Sequence, residues 1–200
     1  MHNNRHKYTT MIASRNSLSY LRAKNPLYEA VSLFWRCQHK DLSSQNAAGV
    51  RFFDIHIALS KKNGLTFVCG KVELDSSGFD FHELVHDLES AGCYYRVTLE
   101  YGEEYVEKWF AAYMNRNISI LGLEHCAECV INRTKETVYK KEGTDFVFID
   151  KTVKPEGFKK NVGKLLSNIR NYDELDYPDC TEITDYKKRE KKKVFVFDFV

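Results

Sequence analysis

One short stretch, residues 49–57, constrains the fold of this chain more than any other. It reads Gly-Val-Arg-Phe-Phe-Asp-Ile-His-Ile, a run of strand-forming residues in which Asp54 and His56 are polar. Side chains on a strand alternate between its two faces, so Asp54 and His56 leave the same face side by side. The stretch therefore predicts a largely buried strand that presents two titratable groups together.

The rest of the chain alternates β-rich and helical runs, which favours βα units around a parallel sheet. Strands are predicted at residues 10–13, 50–58, 65–68, 94–100, 118–123, 146–149 and 194–200. Helices are predicted at residues 26–37, 79–90, 105–115 and 158–168, whereas residues 124–145 and 171–193 lack a clear period. A complete (β/α)8 barrel needs roughly 200 to 250 residues or more. We therefore expect one α/β domain over residues 1–200, a compact or incomplete (β/α)8 TIM-type barrel, with an N-terminal tail (1–9) and a polar connection (171–193) to the last strand.

Several segments match the motifs of one known family in order and spacing. They are Ile12–Tyr20, Cys37–Arg51, Asp54–His56, Cys69-Gly70, Val97–Glu100 and Val196–Phe199. Together they resemble the X-domain of phosphatidylinositol-specific phospholipase C, the PLC-like phosphodiesterase superfamily, most closely over residues 10–102. The resemblance implies a TIM-type barrel that cleaves a phosphodiester at its mouth.

Both positions that carry catalytic histidines in that family hold other residues here. Arg15 stands at the first position, and Cys69 stands at the second. In the family, one histidine takes the proton of the attacking hydroxyl and the other protonates the leaving alkoxide. Arginine stays protonated, with a pKa above about 12, and a thiol with a pKa near about 8.5 is an unusual general acid. The resemblance thus implies lost or altered catalysis, with a phosphate-binding Arg15 and with catalytic positions at Arg15, His56, Cys69 and Asp198.

The same end of the predicted barrel also offers a candidate cation site. Oxygen donors with one imidazole suit a single divalent ion, Ca²⁺, Mg²⁺, Mn²⁺ or Zn²⁺, with mixed donors favouring the transition metals. The candidate ligands are Asn16, Asp54, His56 and Glu100. The alternative is a plug of salt bridges in which Arg15 pairs with Asp54, Glu100 or Asp198. The sequence leaves both alternatives open.

Residues 82–86 read His-Glu-Leu-Val-His, the H-E-x-x-H pattern of zinc peptidases. In such sites two histidines one turn apart bind Zn²⁺ and the glutamate activates water. The apolar face of this predicted helix passes through Phe81, Leu84 and Leu88, which turns His82 and His86 away from its centre. A zinc metallopeptidase is therefore the second alternative function, after a catalytically inactive binding or structural protein.

Two further patterns concern cofactors and partners. Cys126 and Cys129 form a C-x-x-C pair that Cys93 and Cys180 would have to complete as a four-ligand zinc site, and ordinary buried cysteines are the favoured interpretation. The basic run Lys187–Lys193 would suit a weak contact with an anionic membrane, although a solvated connection is the commoner role. The aromatic residues follow core spacing and give no specific nucleic-acid signal.

The sequence also carries an expectation about the cellular compartment. It holds no apolar run of about 18 residues, no secretory leader at its N-terminus, and 6 cysteines that fit reduced thiols. A cytoplasmic location is expected. The predicted function is a PLC-like phosphodiesterase-fold protein that acts on or binds a phosphodiester, phosphoinositide-like group at the barrel mouth; its oligomeric state is not predicted.

Overall fold

The computed structural model describes residues 8–32, 35–60, 64–102, 104–150 and 190–197. The strands are β1 (Tyr8–Ser14), β2 (Phe52–Ser60), β3 (Gly64–Cys69), β4 (Val72–Glu73), β5 (Tyr94–Tyr101), β6 (Cys126–Ile131), β7 (Glu136–Lys140), β8 (Thr144–Asp150) and β9 (Glu190–Phe197). The helices are α1 (Pro26–Ala30), α2 (Leu42–Ala47), α3 (Phe81–Ser90) and α4 (Glu104–Leu121).

The strands form a curled, half-barrel sheet in the order β7-β6-β5-β2-β1-β9-β8. Neighbours from β6 to β8 along this order are parallel, whereas β7 returns antiparallel to β6. The hairpin β3–β4 extends from the far half of β2, beyond the point where β1 ends. The predicted α/β class with a mainly parallel sheet is confirmed, and over the described residues the barrel is incomplete.

The alternation within β2 explains why this strand carries two kinds of residue. Phe53, Ile55 and Ile57 are fully buried on the outer face, where they join the large cluster packed under α3 and α4. Phe52, on the inner face, packs edge-on against Phe148 at a ring-centroid distance of 5.3 Å. The inner face also receives the side chains of Asp54 and His56, so these two groups lie inside the curl of the sheet.

Helix α1 begins as predicted but ends earlier than the sequence suggests. Asn25 caps it by accepting a hydrogen bond from the backbone N–H of Leu27, and Pro26 is its first residue. The helix stops at Ala30 and buries none of its residues, so it lacks the apolar contacts that would stabilise a longer helix. The predicted helix at residues 26–37 was therefore too long.

The segment 118–123, predicted as a strand, is the end of α4. The helix continues to Leu121 and is followed by Gly122, whose φ of 60° is the left-handed conformation that often ends helices. Beyond it, the unassigned residues 124–145 supply β6, β7 and the start of β8. Their strand pairing needs a partner sheet, and a local sequence pattern does not show that partner. The helix predicted at 158–168 lies outside the described residues.

The last strand starts earlier than predicted, which corrects the picture of the basic run. Strand β9 begins at Glu190, and Lys192 points into the curl of the sheet with only 8% exposure. Its Nζ atom lies 4.4 Å from the centre of the Tyr94 ring and donates to the Tyr94 hydroxyl at 3.2 Å. Lys192 is thus not available to a membrane surface; residues 187–189 lie outside the described part. No described helix is long and apolar enough to cross a membrane.

Candidate functional site

The candidate site lies at the mouth of the sheet, the level on its inner face where β1 ends beside β2 and where β5 approaches its carboxyl end. In βα barrels this edge holds the functional groups because the loops that follow the strands converge there. Asp54 and His56 come from β2, and Glu100 comes from the end of β5. The structure brings these three side chains into direct contact.

His56 lies between two carboxylates. Its Nε2 atom is 2.9 Å from Oδ2 of Asp54, and its Nδ1 atom contacts Oε1 of Glu100. Asn132, just after β6, donates from Nδ2 to the other oxygen of Glu100. Both ring nitrogens therefore face negative oxygens, and this arrangement favours a ring that carries two protons and a positive charge.

Arg96 is the residue that motif reasoning missed. Its Nε and Nη2 atoms donate to the two oxygens of Asp54 at 2.7 and 3.1 Å, a bidentate fork. Its Nη1 atom is 3.5 Å from Oε1 of Glu128, and its guanidinium lies 4.7 Å from the centre of the Phe148 ring. The signal was present in the strand period, since Arg96 shares a face of β5 with Glu100, but the family motifs do not include that position.

These contacts form a continuous series of alternating charges, here called the mouth chain: Glu128, Arg96, Asp54, His56 and Glu100. Burial alone would raise the pKa of the Asp54 carboxyl, but the positive charges of His56 and Arg96 outweigh it and hold that pKa well below its usual range. Burial alone would lower the pKa of His56, yet Asp54 and Glu100 raise it to about 9. The ring is therefore charged at neutral pH.

The pKa values of Glu100 and Arg96 are also shifted, each in the direction that favours the charged form of the side chain. Burial alone would raise the pKa of Glu100, but the hydrogen bond and charge of His56 lower it overall. Burial alone would lower the pKa of Arg96, and the carboxylate of Asp54 raises it instead. All the carboxylates with a resolved shift in the mouth chain are thus ionised at pH 7.

The turn after β1 is hydrogen-bonded to the backbone of Asp54, a member of the mouth chain. The Ser17 hydroxyl accepts a hydrogen bond from the Asp54 backbone N–H at 2.8 Å, and the Ser17 N–H donates to the Asp54 carbonyl at 2.9 Å. Ser14 and Ser17 share a hydroxyl contact of 2.7 Å, and both are fully buried. Asn16 completes the turn with a φ of 44°, a conformation that asparagine tolerates better than most residues. Position 54 is therefore fixed from both its main chain and its side chain.

The other predicted site residues lie around this turn. The Arg15 carbonyl accepts a hydrogen bond from Nε2 of Gln38 at 3.2 Å, and Nδ2 of Asn16 approaches the Cys37 sulphur at 3.6 Å. Cys69 is buried in the outer cluster, and its thiol donates to a backbone carbonyl, that of Trp35, at 3.2 Å. The catalytic roles assigned to Arg15 and Cys69 stay predictions. Asp198 lies outside the described residues.

The mouth chain does not fit a divalent ion well. Among the described residues, no group of three or more His, Cys, Asp or Glu side chains is placed to hold a metal. Both oxygens of Asp54 accept hydrogen bonds from Arg96, and both ring nitrogens of His56 face carboxylate oxygens. The proposed ligand set of Asn16, Asp54, His56 and Glu100 stays a prediction, whereas a salt-bridged mouth is what the geometry shows, with Arg96 as the partner of Asp54.

The two other metal patterns are not assembled either within the described part of the chain. His82 is hydrogen-bonded through Nε2 to the Tyr113 hydroxyl at 2.7 Å, while the His86 side chain is 81% exposed and 3.9 Å from its neighbour Asp87. The two histidines of the H-E-x-x-H pattern thus lie on the outer side of α3, away from the mouth chain, and the peptidase alternative stays a prediction.

The C-x-x-C pair consists of fully buried thiols. The sulphurs of Cys126 and Cys129 are 3.7 Å apart, on a strand that contains a bulge. Cys93 lies elsewhere, with its thiol 3.6 Å from Oδ1 of Asn46, and Cys180 is outside the described residues. Burial raises the pKa of Cys93, and the neighbouring thiol of Cys126 raises that of Cys129, so Cys93 and Cys129 stay protonated at neutral pH.

Comparison with known proteins places the fold. No family model matches the sequence, and neither does any curated protein. Phosphatidylinositol-specific phospholipase C from Listeria monocytogenes superposes with a TM-score of 0.50 at 14% identity, over 78% of this chain and 66% of that one. A variant of the enzyme of the same name from Staphylococcus aureus gives a TM-score of 0.48 at 16% identity, over 92% of this chain and 71% of that one.

The likeness to the Listeria enzyme supports a PLC-like fold, as the sequence motifs predicted. This chain spans about two thirds of the length of that enzyme. The likeness does not carry an activity, which has to be argued from the residues at the mouth.

Proposed function

We propose that this protein binds a phosphodiester group of the phosphoinositide kind at the mouth of an incomplete (β/α)8 barrel, without the two-histidine turnover of its structural relatives. The observation that supports this function most strongly is the mouth chain, a largely buried series of alternating charges at the edge where such barrels bind their ligands. The mouth chain contains one histidine, His56, held between two carboxylates, and not the pair of histidines that acid–base catalysis in the resembling family uses.

The mouth supplies cations for a phosphate at two places. His56 carries a positive charge at neutral pH because two carboxylates flank its ring. Arg15 follows β1 at the same edge, and a guanidinium is well suited to phosphate oxygens. A phosphodiester bound between them would receive charge-assisted hydrogen bonds from both sides.

Turnover needs a base as well as an acid, and the described mouth provides no neutral histidine. Arg15 cannot accept a proton, and His56 already holds its proton. Loss of a general acid or base typically lowers the rate by roughly 10²- to 10⁴-fold. Binding without appreciable turnover is the function that these residues support best.

A second candidate function is slow phosphodiester cleavage with His56 as the general acid. It is favoured by one observation, the proton that the flanking carboxylates hold on the ring at pH 7. Such an enzyme would need its attacking hydroxyl to lose a proton without a histidine, to water or to a carboxylate.

A single set of measurements separates these functions. Glycerophosphoinositol is titrated into the protein by calorimetry, and release of inositol phosphate is followed in the same samples. Binding that Arg15→Gln weakens, with no product, supports the proposal; product that disappears in His56→Gln supports the second candidate. Arg116→Gln, on the exposed face of α4, is the matched control and leaves the affinity unchanged. Absence of binding to the wild-type protein contradicts both functions.

A further inference from the structure

Two cations compete for one carboxylate at the mouth. The Arg96 fork takes both oxygens of Asp54, at 2.7 and 3.1 Å. The Nε2 atom of His56 lies 2.9 Å from one of these oxygens, Oδ2. Within the described residues this buried nitrogen has no aligned hydrogen-bond acceptor. The contact between Asp54 and His56 is thus an ion pair in which the N–H does not point along an oxygen lone pair.

The other ring nitrogen is held differently. The Nδ1 atom of His56 is in hydrogen-bond contact with Glu100, whose second oxygen is fixed by Asn132. The ring is therefore anchored at Nδ1 and only weakly held at Nε2. Both carboxylates lie within contact distance of the ring. The difference between the two nitrogens therefore comes from hydrogen-bond alignment and not from distance.

Arg96 is itself firmly placed and does not depend on a ligand. It pairs with Asp54 across the register of β5 and β2, reaches Glu128 on β6, and covers the ring of Phe148. Its side chain is 23% exposed, whereas that of Asp54 is 3% exposed. These contacts hold both oxygens of the Asp54 carboxylate on the Arg96 guanidinium.

We propose that Arg96 is a positioning residue: by occupying both oxygens of Asp54, it leaves the Nε2 proton of His56 weakly held and ready to be donated to a phosphate oxygen of the ligand. The proposal rests on the phosphodiester-binding function argued above. Nε2 is buried in the ligand-free chain, so donation to the ligand requires the ring, whose side chain is 13% exposed, to move toward the ligand. Arg96 then acts through Asp54 and does not contact the ligand.

The test removes the fork and follows the ring. In Arg96→Met, Asp54 turns its lone pairs to Nε2 and the repulsion between two neighbouring cations disappears. Both effects raise the titration midpoint of His56, by roughly one unit, in NMR titrations of the ligand-free protein. Affinity for glycerophosphoinositol falls by roughly tenfold, because the proton now bonds to Asp54.

Arg133→Met is the matched control, since Arg133 makes an equivalent fork with Glu107, which is not a member of the mouth chain. It leaves the His56 midpoint unchanged. Arg96→Lys keeps the charge without the fork, and we expect a smaller rise of the midpoint and a partial recovery of affinity. This variant also decides the matter if Arg96→Met does not fold.

The outcomes are distinct for each claim. An unchanged or lowered His56 midpoint in Arg96→Met, or in Arg96→Lys where only that variant folds, overturns the positioning role. Loss of affinity with an unmoved midpoint also overturns it, because a purely structural defect would produce that result. If the wild-type protein binds no phosphodiester, the proposed function fails, while the ligand-free titration still decides whether Arg96 acts on His56 through Asp54.

Discussion

Two arginine–carboxylate forks of nearly equal geometry occur in the described part of the chain, one within the mouth chain and one between α4 and the turn after β6. Arg96 holds Asp54 at 2.7 and 3.1 Å, and Arg133 holds Glu107 at 2.7 Å with both of its bonds. The exposed fraction of the guanidinium-bearing side chain is 23% in the first fork and 54% in the second. Geometry alone would give these forks the same role.

The difference lies in what surrounds each fork. Asp54 is shared with His56, and Arg96 is shared with Glu128, so any change at the mouth alters several charges at once. Glu107 is held on α4 by an arginine that follows β6, and this pair joins a helix to the sheet edge. The Arg96–Asp54 fork thus influences the charges of its neighbours, whereas the Arg133–Glu107 fork connects a helix to the sheet.

The largest contrast between the forks is expected in stability. Arg96→Met removes one of the two cations that pair with the buried Asp54, and breaking a buried ion pair typically costs about 3–5 kcal/mol. Arg133→Met removes a half-exposed partner, and such pairs contribute about 0.2–1 kcal/mol. Urea unfolding of both variants beside the wild type measures the two losses. Equal losses would show that burial does not distinguish the forks.

The second contrast is a dependence of stability on pH above neutrality, which comes from His56 in the mouth chain. The pKa of His56 is raised to about 9 in the folded chain, against about 6.5 when unfolded. Its stabilisation is therefore complete below about pH 6.5 and is lost as the pH rises through about 9, with a total on the order of 3 kcal/mol.

Urea midpoints between pH 6 and 10 check this window. We expect stability to decline over this pH range in variants that keep His56, such as Arg133→Met. We expect no such decline in His56→Gln. A decline of equal size in His56→Gln would assign the effect to other groups.

A smaller effect is expected at the edge of the mouth chain. Glu128 is 3.5 Å from Arg96 and adds to a guanidinium that Asp54 already holds. Glu128→Gln keeps the shape of the side chain and should cost roughly 0.5–1.5 kcal/mol, without freeing Asp54. Thermal unfolding gives the stability, and an unmoved His56 midpoint serves as the internal control. A loss as large as that of Arg96→Met would mean that Glu128 organises the fork.

The smallest contrast concerns salt. At 1 M salt the screening length is about 3 Å, which weakens exposed ion pairs far more than buried ones. The stability difference between wild type and Arg133→Met, already below about 1 kcal/mol, should fall further, while that of Arg96→Met should persist. Equal salt sensitivity of the two differences would indicate that water reaches the mouth fork freely.

The sequence predicted the face of the site better than its contacts. The two-residue period of β2 correctly placed Asp54 and His56 on one side of a sheet, and the family resemblance added Glu100, which contacts His56. The partner of Asp54 was not predicted, because Arg15 stood at a motif position and Arg96 did not. Which of them meets the carboxylate depends on the register between β2 and β5, and a single strand does not encode that register.

The segment 118–123, at the end of α4 and just beyond it, shows the same limit at the level of the fold. Its isoleucines and leucines suit a strand, yet Ile118 and Leu123 pack against the outer cluster from the end of α4 and beyond it. Tertiary packing outweighed the local preference of these residues. The length of α4 therefore required knowledge of the surface that it covers.

The most direct test of the central claim is the ¹⁵N NMR spectrum of the His56 ring at pH 8, before and after addition of glycerophosphoinositol. We predict that both nitrogens are protonated in the free protein, and that the ligand shifts Nε2 much more than Nδ1, which stays bonded to Glu100. A ring with one unprotonated nitrogen at pH 8, or a ligand that shifts neither nitrogen, would contradict the charged mouth described here.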